Sequence, residues 1–506
     1  MLGKKKIVPK LLYTVTLEDL VPEDDFYRQV DKILDLNFVY KACEKIYGKT
    51  GNPSLDPVVF FKLVLYGFCE NINKDRKLIR KASDSLAARL FLGYDIDEEL
   101  PWHSTISRTR KILPGELFER VFEQILQKCV EAGLVEGSHQ TVDSTLVKSN
   151  SSLSSLERKS PKMELVDYIK KTMDENDLSK EEGEINKSEA EFGGEKDQNK
   201  EKDRLDDNDQ FSIIINEKRP KRKSCSNNEY VSRTDPDSKI ARKPGKMTDL
   251  YYSTHYSVDS SNSIITDVLT TTSDKADSDL LIEITERIIR RLKGFGLSVE
   301  SIGTDKNYCS GENLRELEKL GIIPYLPSQR HPNTTGGIDR DEFKYNKEED
   351  HYSCPGGKTL SYRYTTKEGA YIYAASKRDC SSCLLEPECS SGKQPRRVQH
   401  TMYREEYERL AKRLKTPFGK KIQKLRKIGV ERLFAEAKEN HGLRKYMTRG
   451  LTKAMKRSLM IATVQNLKRL IKNEKQRSNG TMKQVIKKSE ALLMKFYYNF
   501  AVENSI

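Results

Sequence analysis

Residues 151–210 hold 29 charged side chains in 60 positions and hardly any aromatics. A stretch of that make-up cannot bury enough apolar surface to offset its ordering entropy. It is expected to be a mobile insert with at most one loose helix, and order is expected to return near Ser232-Arg233-Thr234-Asp235-Pro236-Asp237. Strand-like runs lie on both sides of it, so any core must be assembled across the gap. At 506 residues the chain is also too long for one compact core, and two to four domains are expected.

The charge is as uneven as the complexity. Lys and Arg outnumber Asp and Glu by 90 to 76, a net of +14. Residues 401–506 alone carry 27 basic and 9 acidic side chains, a net of +18, which leaves −4 for the first 400. Lys-rich helix faces are often just solvated, but a basic surface confined to one region also suits a phosphate backbone. No apolar run approaches the roughly 20 residues of a membrane span, and the first ten residues lack the apolar stretch of a secretory leader. Nine cysteines, an odd number, do not read as a disulfide framework. A cytoplasmic protein with a polyanionic partner and no membrane is the expectation.

The pattern of residues predicts helices over the first 135 positions. Asp56-Pro57 is an N-cap followed by Pro at the first helical position, and Val58 to Phe68 behind it is apolar nearly all round, hence buried. Arg76 to Leu92 reads as one helix closed by Gly93, and Glu116 to Ala132 as another, amphipathic one. His139 to Val147 then reads as a strand. Tyr251–Val258 and Ser263–Thr271 flank the turn Asp259-Ser260-Ser261-Asn262 and read as a hairpin. Leu280–Leu292 is helical, Val299–Thr304 a strand, Asn313–Leu320 a short helix, and Ile322–Leu326 a last strand. Three strands followed by two, with helices between, predict a mixed five-stranded α/β sheet. Residues 327–418 interrupt it with strand-like pieces. Helices resume from Lys420, where Val430, Leu433, Phe434 and Ala437 form an apolar stripe.

Three acids stand out by position: Asp143 in the first strand, Asp305 at the C-terminal end of a later one, and Glu431 opposite the apolar stripe. Ligands gather at strand ends in open α/β sheets, although any one carboxylate among 76 is most often a solvated surface acid. Cys354, Cys380, Cys383 and Cys389 fall in the interruption, and four thiolates can complete a tetrahedral zinc site. The alternative is a set of buried or idle thiols. Cys43, Cys69, Cys129, Cys225 and Cys309 lack partners at ligand spacing. His103, His139 and His255 read as packing residues, and the place of His441 stays open. No P-loop or Rossmann glycine pattern implies a nucleotide cofactor.

The order strand-Asp, hairpin, helix, strand-Asp, helix, strand, insertion, helix-Glu resembles DDE transposases of bacterial insertion sequences. The likeness is carried by Thr141-Val142-Asp143-Ser144-Thr145, Thr234-Asp235-Pro236-Asp237, Gly303-Thr304-Asp305-Lys306-Asn307-Tyr308 and Val430-Glu431-Arg432-Leu433-Phe434. Leu55-Asp56-Pro57 and Trp102-His103-Ser104-Thr105 are similar to the N-terminal helical domain of the same proteins. Many members carry a Tyr, an Arg, the Glu and a Lys at fixed spacing on the last helix. Here Glu431 and Lys438 match, with Lys427 in the Arg place and Lys424 in the Tyr place.

The resemblance implies an RNase H-like α/β catalytic domain split by insertions, plus an N-terminal all-α domain. The expected division is 1–135 (helical, DNA-binding), 136–150, 232–326 and 419–475 (the three parts of the catalytic core), 151–231 (charged insert), 327–418 (cysteine-containing insertion) and 476–506 (basic tail). It implies two Mg²⁺ (or Mn²⁺) ions held by Asp143, Asp305 and Glu431, a structural zinc ion on the four cysteines, and phosphate contacts from Lys438, Lys427, Arg444 and Arg449. The implied partners are the terminal inverted repeats and target site of double-stranded DNA, and a second copy of the chain in a synaptic complex, in a nucleoid-associated protein. A catalytically inactive DNA-binding relative and a nuclease without strand transfer are the alternatives.

Overall fold

The computed structural model describes residues 15–47, 54–159, 226–242, 245, 247–327, 337–367, 369–389 and 395–503. Most of the expected insert, at 160–225, and Cys225 with it, lie outside the described residues. Its two roots are described and pair with each other, Leu156–Arg158 running antiparallel to Tyr230–Ser232.

The N-terminal region is helical, as its sequence predicts. Helix α1 (Pro57–Cys69) starts where Asp56 Oδ1 accepts from the Val58 and Val59 amides at 2.7 and 3.3 Å. Phe60, Phe61, Leu63 and Leu65 on it are buried. The stretch expected as one helix over Arg76–Leu92 is two, Asp75–Ser83 and Leu86–Leu92. The Ser85 hydroxyl accepts from Ala88 N at 3.2 Å and restarts the chain as an N-cap. Helix α2 (Gly115–Glu131) buries Leu117, Val121, Ile125 and Cys129 along one face.

The main sheet is built from β1 (His139–Lys148), β2 (Asp249–Asp259), β3 (Ile264–Thr272), β4 (Ser301–Gly303) and β5 (Ile323–Tyr325). Its order is β3-β2-β1-β4-β5, and the short strand Lys239–Ala241 pairs with the start of β2. The first three strands are joined antiparallel, while β4 lies parallel to β1 and β5 parallel to β4. Parallel neighbours need crossovers, supplied by α3 (Asp277–Gly294) before β4 and α4 (Gly311–Lys319) before β5. The expected three-then-two arrangement is therefore observed, but the sheet has six strands rather than the expected five, the sixth being Lys239–Ala241.

The interruption folds as a separate antiparallel ribbon of five strands, Lys344–Asn346, His351–Ser353, Thr359–Thr365, Ala370–Ala374 and Arg397–Thr401. It has its own small core around Phe343, Tyr352, Leu360, Tyr373 and Val398. The chain returns to the main sheet through α5 (Pro417–Arg426), one π-helical turn (Lys427–Glu431) and α6 (Arg432–Asn440), and ends in α7 (Leu451–Glu503).

The helical region and the sheet share one buried apolar cluster, running from Val30, Phe61 and Phe122 to Val142, Ile302, Leu433 and Ile461. Polar contacts reinforce the joint. His441 Nδ1 lies 2.7 Å from the Phe68 carbonyl, and since a carbonyl only accepts, that nitrogen carries the proton. Asn71 Nδ2 donates to the Glu439 carbonyl at 2.8 Å. Gly442 ends α6 at φ +72°, and a Cβ there would lie 2.2 Å from Asn73 Oδ1, so only glycine permits this approach. Among the described residues no helix is long and apolar enough to cross a membrane.

Candidate active site

The sheet's register sets two of the three acids level. Thr141 on β1 pairs with Gly303 on the parallel strand β4. Asp143 and Asp305 each lie two residues beyond that pair, Asp143 midway along β1 and Asp305 just past the end of β4. Asp305 caps the short turn Lys306–Tyr308, its Oδ1 accepting from Asn307 N at 3.0 Å. Tyr308 from that turn is buried. Burial pushes its phenol well above the usual range, and the charges of Asp277, Asp143 and Asp305 push it further.

Asp143 faces the helices that return from the insertion. Its partner across the antiparallel pair is Tyr256, whose ring stacks on Phe434 of α6 at a centroid distance of 4.5 Å. The side chain is 15% exposed, and Oδ2 accepts from Arg426 Nη1 at 3.2 Å. The other terminal nitrogen of the same guanidinium lies 3.7 Å from Glu431 Oε1, and Glu431 is 58% exposed. Arg426 thus bridges the first and third acids.

Spacing alone puts Lys427 in the arginine place, four residues before Glu431, while the guanidinium beside Glu431 is that of Arg426. Lys427–Glu431 form a π-helical turn, whose i→i+5 pattern adds one residue to the turn. The residue beside Glu431 is therefore five positions back, and that is Arg426, a buried guanidinium rather than a lysine. Lys427 is exposed.

A second set of groups lies behind the strands, of which sequence reasoning singled out His255 alone. Ser144 Oγ donates to Asp277 Oδ2 at 3.1 Å, and the Tyr308 hydroxyl lies 2.8 Å from His255 Nδ1. Burial pushes His255 down to about 3, so it is neutral. It is the packing residue its isolation in sequence suggests, and it anchors the turn that carries Asp305.

Of the four basic candidates, Lys438 bonds to the strand that carries Asp143. Its Nζ donates to Thr145 Oγ1 at 2.6 Å, on the face of β1 that also carries Asp143. Arg444 pairs with Glu439 and is 66% exposed. Arg449 Nε donates to the Asn150 carbonyl at 3.0 Å. Both lie beyond the end of β1, where the Arg444 carbonyl accepts from Lys148 N.

The four insertion cysteines line one cavity of about 30 Å³ together with Lys358 and Arg396. A Cβ at Gly356 would meet Cys383 Sγ at 3.1 Å and Cys354 Sγ at 3.7 Å, so these two sulfurs flank one glycine. Burial pushes the Cys389 thiol up; Arg396 opposes this, and Cys380, Cys354 and Cys383 add to it. By contrast, desolvation pushes the half-buried Cys69 thiol and the buried Cys129 thiol up to about 12. Neither the cysteines nor the three acids stand at metal-holding geometry, and no other group of three or more His, Cys, Asp or Glu does so among the described residues. In donor chemistry, three carboxylates suit a hard ion and four thiols a soft one.

Comparison with known families finds two matches. Residues 15–112 match a transposase domain (DUF772), and residues 353–471 match a transposase DDE domain. The second match spans Glu431 and Lys438. No curated protein matches the chain. A solved piggyBac transposase synaptic complex with hairpin DNA is similar at a TM-score of 0.37 and 10% identity, over 89% of this chain and 76% of that one. A transposase domain matched near one end and a transposase DDE domain towards the other support a DDE-type transposase of the insertion-sequence kind.

Proposed function

We propose that the protein cuts and joins DNA at the ends of its element, using Asp143, Asp305 and Glu431 as the acids of one metal-dependent centre in an RNase H-like domain. What supports this is the placement of Asp143 relative to each of the other two acids, although the three do not stand at metal-holding geometry. The β1–β4 register sets Asp143 level with Asp305, and the Arg426 guanidinium ties Asp143 to Glu431. The strand order, three antiparallel and then two parallel with helical crossovers, supports the RNase H-like assignment.

The three carboxylates would hold two Mg²⁺ or Mn²⁺ ions. When bound, such ions supply activation of the attacking water or 3′-hydroxyl and neutralisation of the leaving oxygen. The chain's own groups prepare the site for this. Asp143 is fixed by the Ser144 amide at 2.7 Å and Asp305 by the Asn307 amide. Lys438, held by Thr145, presents an ammonium beside Asp143, where a phosphodiester in line for cleavage would lie. Lys427, Arg444 and Arg449 extend the basic surface along the DNA backbone. The helical region 15–135 contributes further DNA contacts, and two copies of the chain hold two element ends together. The cysteine cavity would take a structural zinc ion that holds the ribbon's loops.

A binding-only relative is the less favoured reading, because Arg426 supplies the guanidinium that Lys427 lacks. Cleavage and strand-transfer assays on DNA carrying the element's own flanking sequence test the proposal. Asp143→Ala is expected to abolish Mg²⁺-dependent cleavage and joining while DNA binding persists. Full cleavage by that variant would refute it.

A further inference from the structure

Trp102 is the single tryptophan of the chain, and it stands 72% exposed. Tryptophan usually buries most of its large surface, so an indole left in water calls for a reason. It precedes the helix His103–Ile112 and leans on one side against the His103 ring, the centroids 5.1 Å apart. Arg76 Nε donates to His103 Nε2 at 2.7 Å and holds that ring in place.

Basic side chains surround the indole. The helix Asp75–Ser83 packs beside His103–Ile112, and the two carry seven Lys or Arg and one acid, a net of 7 − 1 = +6. The one acid, Asp75, is paired with Arg110 at 2.8 Å. Arg76, Lys77, Arg80, Lys81, Arg108 and Lys111 are exposed, while Leu78, Ala82, Ile106 and Thr109 are buried. The acidic loop before Trp102 bends back over Arg89, which donates to the Asp95 and Glu98 carbonyls at 2.6 and 2.9 Å. The basic face also borders the turn after α6, since Asn73 lies against Gly442 and accepts from the Arg457 guanidinium. That turn leads to Arg444 and Arg449.

A run of phosphates suits an acid-poor basic face, and every nucleobase offers an aromatic face to an indole. In a continuous duplex those faces are taken up by stacking, so an indole can stack only on a base that has left the stack. Resting on the DNA reading above, we propose that these two helices grip the DNA backbone and that Trp102 stacks on an unpaired base of the bound DNA. Arg76 serves both parts: its Nε fixes the ring behind Trp102, and its terminal nitrogens carry charge for a phosphate.

Because the chain has one tryptophan, the intrinsic tryptophan emission of the full protein reports on Trp102 alone. A blunt duplex, and the same duplex with one bulged adenine, are titrated into it without divalent ions. Binding is followed in parallel by the anisotropy of a dye on the DNA. The bulged duplex is expected to quench the emission and the blunt duplex to leave it nearly unchanged. Trp102→Ala is expected to bind the bulged duplex roughly tenfold more weakly and the blunt one as before. Trp102→Phe keeps a ring and is expected to lose only about two- to threefold. Arg80→Gln with Lys81→Gln is expected to weaken both duplexes and to lower the slope of log affinity against log salt by about two, with quenching at saturation retained. The substituted side chains are exposed, and circular dichroism checks that each variant is folded. If the bulged duplex binds without quenching, or the blunt one quenches equally, or Trp102→Ala costs nothing, the stacking role is overturned and DNA binding stands. If the Arg80, Lys81 variant keeps the wild-type salt slope, the two-helix grip is overturned. If neither duplex binds at low salt, the DNA reading falls with both.

Discussion

Gly303 lies at the point where sheet and helix approach most closely near the acids, and replacing it tests how the site is built. A Cβ at this position would lie 2.8 Å from Ile422 Cγ2 and 3.6 Å from Thr141 Cγ2. Carbon atoms prefer separations of about 3.5–4.0 Å, so Gly303→Ala must push α5 from β4 by roughly 1 Å or force Ile422 out of place. Ile422 is 1% exposed and is a stiff β-branched side chain, so it has little room to yield. Overpacking of this kind costs about 1–3 kcal/mol. The strain is aimed at the site, because Ile422 lies one turn before Arg426. Ile422→Ala alone removes buried methyl groups and costs about 2–4 kcal/mol. In the double variant the new Ala methyl occupies part of the vacated space, so the two costs are not expected to add. Urea unfolding followed by circular dichroism, with all four proteins at one pH, gives the coupling. A double variant at least about 1 kcal/mol more stable than the additive value is expected, well outside the roughly 0.3–0.5 kcal/mol by which independent sites deviate. Additivity would refute the claimed contact between β4 and α5.

Two further outcomes follow from charged and thiol groups. Burial alone would raise the Glu436 carboxyl, but its contacts with His441 and Arg469 hold it at about 2. Its folded value is depressed, so its stabilisation is complete above about pH 4.5 and is lost as pH falls towards 2. Glu436→Gln is expected to cost about 2 kcal/mol at pH 7 and little at pH 2.5, read as the difference in urea midpoints. A difference that does not shrink with pH would contradict the ion pairing. For the cysteine cavity, metal analysis of the purified protein is expected to find one zinc per chain, lost in Cys380→Ser with Cys383→Ser. Stoichiometric absence of zinc in protein purified without chelator would leave the thiols idle.

Much of the sheet was legible because its signals are local. Alternation, the turn at Asp259–Asn262 and the Asp56-Pro57 cap each act within a few residues, and the elements they predict are present. The divided helix at Ser85 was missed although its cue was there, a serine followed by a helical run with its hydroxyl free to cap. Asp143, Asp305 and Glu431 were singled out by position and family likeness, and the register that levels the first two is a tertiary fact. Arg426 was hidden for a specific physical reason. Counting back from Glu431 at ordinary helical spacing selects Lys427, and nothing in the local sequence announces a π-helical turn. The clamp between Phe68, Asn71, Asn73 and the end of α6 joins residues more than 360 positions apart, beyond any periodicity.

The central claim is that Asp143, Asp305 and Glu431 hold the metal. Anomalous diffraction from crystals of the full chain grown with Mn²⁺ measures this directly. Anomalous peaks are expected about 2.1 Å from carboxylate oxygens of all three residues, with the Arg426 guanidinium turned away from Asp143. Well-occupied Mn²⁺ peaks elsewhere, with Asp143 and Glu431 still paired to Arg426, would contradict it.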